Sequence, residues 1–316
     1  MPWRRVIGVL IVLAIPMIAA GSLDGFASGS LVLTAAAGVI CGLAGAVFGQ
    51  IRQALLAILV AWTAASLVET PTPGIDPRAV ALGLALLCGV EAWRSGGRAM
   101  TIAIAATVLL HTASRTAPPW DPTSAAVYAA SAGLGFVAIW AAGGVGSRAP
   151  QPAPATEALA LVLFLAIGLF LTITLTQTMH RPEAIWLILM FVFRALVPPR
   201  AAYIAHLRFA IGAVLGAFLA GLLAQGVLGP FGLAQNHLVI GTICALAVAT
   251  GLRFMPAQNI VPPLAYSVAA VTVVGPSAST ALIRGEDALG IAALAMVLSF
   301  GLDWALGSRT NSPRAQ

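Results

Sequence analysis

Four charged side chains stand where charge is costly. Arg194 follows the apolar run Trp186–Phe193 and precedes Ala-Leu-Val-Pro-Pro. Arg208 opens the apolar segment 209–228, Arg253 closes 237–252, and Asp303 lies near the end of 288–305. A charge well inside the hydrocarbon slab costs at least ~2.5–3.5 kcal/mol on insertion scales and ordinarily faces a cavity or a partner. A guanidinium presents a planar fork of donors that matches a carboxylate. A band of arginines at helix ends is therefore a candidate site for small organic anions, and Arg208, at the start of a helix, gains from the positive end of the helix dipole. Asp303 can pair with Arg208 or Arg253, either holding structure or switching with a proton. Arg194 reads in two ways: ten residues into a span over 184–199, or just past a helix that stops at Phe193, with its head reaching for the interface.

The common enzyme signatures are missing. The chain has no phosphate-binding Walker sequence, no HExxH, no CxxC and no G-x-S-x-G. Cys41, Cys88 and Cys244 sit in apolar runs without metal-spaced neighbours and read as small buried hydrophobes. His111, His180, His206 and His237 are scattered and read as packed or interfacial. No polar insert is long enough for a nucleotide-binding domain. Neither a metal, nor a cofactor, nor an enzymatic activity is expected.

The elements that must carry these residues follow from composition. Of 316 residues, 60% are hydrophobic and only 8% charged, against about 25% charged in a soluble domain. With a mean hydropathy of +0.98, the solvent for most of the chain is lipid. All sixteen basic residues are arginines, and the net charge is +6. They are scattered rather than clustered, which argues against a nucleic-acid partner and for a role in membrane topology.

Twelve apolar segments are legible: 6–21, 29–48, 53–69, 79–93, 99–114, 124–143, 158–176, 184–199, 209–228, 237–252, 260–275 and 288–305. Each is long enough, or nearly so, to cross a core of about 30 Å as a helix. The first one, after Arg4-Arg5 and before Ile18-Ala19-Ala20, imitates a secretory signal and is read as a span. With the N-terminus inside, twelve arginines fall in cytoplasmic loops and four (Arg78, Arg115, Arg181 and Arg284) outside, a positive-inside bias. Most acids, Glu69 and Asp76 among them, then lie outside, and both termini are cytoplasmic.

The Pro-rich stretch 149–156 divides the chain into a first membrane repeat, 1–148, and a second, 157–306, with a tail at 307–316. Corresponding spans are offset by about 150 to 165 residues. Six spans per half give both halves the same direction, a parallel repeat about an axis near the membrane normal. The expected fold is all-α: a polytopic membrane protein of about twelve transmembrane helices in two parallel six-helix repeats. Gly38-x-x-x-Gly42, Gly45-x-x-x-Gly49 and Gly212-x-x-x-Gly216 mark close helix contacts.

The stretch His180-Arg-Pro-Glu-Ala-Ile-Trp186, Arg194, Arg200 and Arg208-Phe-Ala-Ile-Gly212-Ala-Val-Leu-Gly216 resembles the fusaric acid resistance-like, or aromatic acid exporter, family. Ala257-Gln258-Asn259 and Arg284-Gly-Glu-Asp287 extend the resemblance, which covers residues 170–305. The first half matches only in span order and small-residue content. The larger members carry sizeable cytoplasmic domains that this chain lacks, so it looks like a compact variant.

The resemblance implies a bacterial inner-membrane exporter of small aromatic or weak organic acids, proton-coupled and working beside a periplasmic adaptor protein. On that reading Arg194, Arg208, Arg253 and Trp186 bind the substrate, and Asp303 and His180 carry the proton. The alternatives are a permease subunit driven by a separate ATPase, and a membrane scaffold without transport. Assembly as a homo-oligomer stays open.

Overall fold

The computed structural model describes residues 3–23, 30–47, 51–69, 75–114, 121–141, 151–179, 185–196, 199, 203–233, 237–254, 260–274 and 278–306. Among them there is no strand. The helices are α1 (Trp3–Leu23), α2 (Ser30–Val47), α3 (Ile51–Glu69), α4 (Pro77–Ser95), α5 (Ala99–Ala113), α6 (Pro122–Ala141), α7 (Ala155–Met179), α8 (Ile185–Ala195), α9 (Tyr203–Leu223), α10 (His237–Phe254), α11 (Val261–Val274) and α12 (Ala278–Ala305). Every apolar segment read from the sequence falls on one of them. A π turn, Ala224–Leu228, prolongs α9.

Four stretches, Ile51–Glu69, Ala155–Met179, Ile204–Leu228 and Ser279–Ala305, combine the length and apolar composition to cross a membrane. Their packing is inside-out relative to a soluble protein. α3 buries Gln53, Ala54, Ala57, Ala61, Ala64 and Ala65 and turns Leu55, Leu56 and Leu59 outward. α9 buries Ala210, Ala213, Ala217 and Ala220 while Leu215, Phe218 and Leu222 face out. Small residues inside let helices approach closely, and large apolar residues outside are satisfied only by lipid. The chain is a membrane-embedded helical protein.

The chain forms two compact units, Ile11–Arg200 with Leu298–Gln316, and Met1–Leu10 with Ala201–Val297. The Pro-rich linker lies inside the larger unit. In that unit α2 packs on α6, α5 and α3, α4 on α7 and α5, and α8 on α5 and α7. A Cβ on Gly38 or Gly42 would collide with the carbonyls of Tyr128 or Ala132 on α6, so this pair is a true close-contact motif. Thr107 Oγ1 on α5 reaches Ala61 O on α3 at 3.4 Å, besides Ala103 O of its own helix at 2.8 Å. In the smaller unit α9 and α10 pack on α11. Gly212 and Gly216 meet the backbone at Ile260 and Leu264, and Ser267 Oγ on α11 donates to Ala213 O on α9 at 2.7 Å.

Local chemistry sets the ends of α4, which matters most for the site. The Asp76 carboxylate accepts the Arg78 amide at 2.8 Å, and Pro77 supplies the first helical residue without a donor to lose. That amide is the main reason the Asp76 carboxyl is held below its usual range. The helix closes on Gly96, whose φ of 69° is left-handed. The linker seats against this glycine: a Cβ there would strike the Gln151 carbonyl, and Ala153 N donates to Ala92 O at 2.8 Å.

Candidate functional site

The larger unit contains a cavity of about 180 Å³. Three helical stripes build it: Pro77, Val80, Ala81 and Leu84 from α4, Ile104, Thr107, Val108 and His111 from α5, and Leu169, Ile173, Thr176 and Gln177 from α7. Each has the i, i+3/i+4, i+7 spacing that puts side chains on one helix face. Val68 of α3 and Ile188 of α8 complete the wall. The α7–α8 seam behind it is held by Phe164 stacked on Phe191 at 5.0 Å between ring centroids, with Gly168 leaving room for the Phe191 ring.

Apart from Thr107, whose hydroxyl serves Ala103 O, the wall is apolar except at one end. There Thr176, Gln177 and His111 gather, at the C-terminal ends of α7 and α5. His111 Nδ1 is hydrogen-bonded to Oε1 of Glu69, the last residue of α3. The pair is partly sheltered, with side-chain exposures of 35% for His111 and 22% for Glu69. Asp76 and Arg78, at the start of α4, bond to each other at 3.2 Å, and the Arg78 guanidinium lies 5.7 Å from the Phe170 ring of α7.

A second polar cluster marks the other end of the same helices. Gln53 Nε2 donates to Ser95 Oγ at 2.7 Å, and Ser95 Oγ donates to Glu91 O at 2.9 Å. The Glu91 carboxylate accepts the Ala99 and Met100 amides at 3.0 and 2.8 Å, which caps α5. Arg98 sits in the turn between α4 and α5. Burial draws its guanidinium below the ordinary arginine range, while Cys88, Glu91 and Glu157 push it back up.

The residues expected from sequence to bind substrate or proton are divided between the two units. Arg194 is the penultimate residue of α8 and only 2% exposed, and Trp186, the second residue, is half-buried. Both belong to the larger unit, as does Asp303, half-buried near the end of α12. Arg208 and Arg253 belong to the smaller unit. Arg208 is exposed on α9, and Arg253 is half-buried in the last turn of α10, 5.7 Å from the Phe254 ring. His180 lies outside the described residues. None of them is among the residues lining the cavity.

Two features escaped the sequence reading. Glu69 and His111 close two different apolar segments 42 residues apart, and only the pairing of α3 with α5 joins them. Arg284 was expected in an outer loop, because the last span was begun at 288. α12 starts at Ala278, and Arg284 is fully buried within it, 3.4 Å from Asp287 one turn on. The i, i+3 spacing of opposite charges ahead of an apolar run was the signal for that earlier start.

Among the described residues no group of three His, Cys, Asp or Glu side chains converges as a metal site would require. No protein-family model, no curated protein and no solved structure matches the chain.

Proposed function

We propose that this protein carries small aromatic or other weak organic acids across the bacterial inner membrane, outward and linked to protons, as the resemblance implies. The observation that carries the reading is the cavity: about 180 Å³, apolar along its walls and polar at one end. An apolar cavity of about 150 Å³ is enough to hold benzene. One aromatic ring therefore fits the wall, and its carboxylate would meet His111 and Gln177, while the Thr176 hydroxyl serves Thr172 O at 2.7 Å. Small-molecule sites have this composition, mostly apolar with a few convergent polar groups.

The two polar clusters support the proposed topology. Gln53, Ser95 and Arg98 share one end of α3, α4 and α5, and Glu69, Asp76 and His111 share the other. That is the alternation expected of antiparallel spans. The parallel repeat is supported by two hydroxyl-to-carbonyl bonds. Thr107 to Ala61 joins α5 to α3, and Ser267 to Ala213 joins α11 to α9; these are the helix pairs that the repeat equates. A periplasmic adaptor remains the expected partner, and Arg194, buried in the same unit as the cavity, the arginine closest to the role first assigned to the band.

The test is transport of labelled benzoate in inverted vesicles with an imposed proton gradient. Uptake dependent on the protein supports the reading. Equal uptake with and without it refutes transport of this class.

A further inference from the structure

We infer that Glu69 and His111 form a proton-linked gate on the cavity: the Glu69 carboxylate occupies the imidazole N–H that an organic anion needs, and a proton on Glu69 releases it. This rests on reading the cavity as an organic-acid site.

The geometry sets up a competition. His111 lines the cavity, and its Nδ1 is engaged by Glu69 Oε1. The neutral polar groups beside it are Thr176 and Gln177 of α7. A carboxylate ligand that enters ring-first must take its charge-assisted hydrogen bond at this end, where the donor already serves a carboxylate. Among the described residues the other charged groups of the neighbouring elements are few. At the start of α4, Asp76 and Arg78 are engaged with each other. Asp121, at the start of α6, accepts the Thr123 and Ser124 amides. α2 carries no acid, arginine or histidine, Glu157 and Arg194 lie at the opposite ends of α7 and α8, and Glu91 and Arg98 at the opposite ends of α4 and α5.

Two carboxylates sharing one donor do not both stay ionised at low cost, because each raises the proton affinity of the other. When the ligand carboxylate takes the His111 N–H, Glu69 loses its donor and takes one proton from water. When the ligand leaves, Glu69 returns that proton and accepts from His111 again. One proton is thus bound with each anion and released with it.

The experiment is calorimetric titration of the full-length protein in lipid nanodiscs with benzoate as the probe, across about pH 5 to 8. Two buffers of different ionisation enthalpy give the net proton uptake. The wild type should bind more tightly as pH falls, by up to about tenfold per pH unit, the limit for one linked proton. Glu69→Gln should bind tightly with a flat pH profile, and His111→Gln should bind roughly ten- to hundredfold more weakly, as expected for loss of a charged hydrogen bond. Glu69→Gln binding with the wild-type affinity and pH profile overturns the gate. Should that variant fail to fold, the wild type decides: benzoate binding without proton uptake overturns the gate and leaves the transport reading standing. No benzoate binding at any pH overturns both.

Discussion

Glu91 Oε2 accepts the amide of Met100 at 2.8 Å, so a side chain from the last turns of α4 satisfies the first turn of α5. Glu91 Oε1 does the same for Ala99 at 3.0 Å. A carboxylate at this position answers both the orphan amides and the positive end of the helix dipole, and it locks the α4–α5 corner that sets the depth of His111 eleven residues later.

Replacing Glu91 by Ala removes two hydrogen bonds to a charged acceptor and should destabilise the protein by about 2–3 kcal/mol. Glu91→Gln keeps one acceptor oxygen and should lose roughly half of that. Thermal unfolding of the detergent-solubilised protein reads both, and equal melting of all three forms would show that the cap contributes nothing.

The two faces of the helices should respond oppositely to one added methyl group. A Cβ on Gly42 meets the Ala132 carbonyl, whereas Gly83 on α4 has nothing within 4 Å. Gly42→Ala should cost about 1–3 kcal/mol through overpacking of the α2–α6 seam, and Gly83→Ala should be neutral or stabilising by up to ~1 kcal/mol through helix propensity. The yield of monodisperse protein and its melting temperature separate the two.

Arg194 and Arg208 are both arginines of the second half but sit in opposite settings, one 2% exposed and the other exposed. Arg194→Leu should insert normally, since leucine is far cheaper in the bilayer, yet lower benzoate transport at least tenfold. Arg208→Lys should leave insertion intact and weaken transport less. Normal transport by Arg194→Leu and Arg208→Leu together would remove the arginines from the mechanism.

Reporter fusions after Gly146 and after Ser308 should both read cytoplasmic, because the distribution of arginines requires it. In lipid nanodiscs α1–α6 should superpose on α7–α12 by rotation about the membrane normal, as electron cryomicroscopy would show. A periplasmic reporter signal, or an inverted relation between the halves, would count against the map.

Hydropathy made the helices legible because lipid imposes long apolar runs whatever their neighbours are. It located every helix but not each end: α12 runs ten residues further upstream than its apolar part, since Arg284 enters the helix with Asp287 beside it. The linker motif was visible, but not that its Gln151 carbonyl lies against Gly96. The arginines drew attention because a charge in an apolar run stands out. Glu69 and His111 did not, because each sits at the edge of its own run, where polar residues are ordinary. Which edges meet depends on helix pairing, which hydropathy does not encode.

The seam between α4 and α7 has a consequence for how the protein is made. α4 ends at Ser95 and α7 at Met179, 84 residues later. At about 5–20 residues per second the ribosome needs roughly 4–17 s to deliver that interval. Throughout it, the face of α4 that carries Gly89 has not met Ala158 and Val162 of α7, although α5 has already emerged and α6 is on its way to α2. The membrane-insertion machinery or a lipid-facing holding state must shelter the early helices until the strap at Gln151–Ala153 draws α7 onto them. Mutations along this seam should therefore show first as degraded nascent chains, before any defect in a finished molecule.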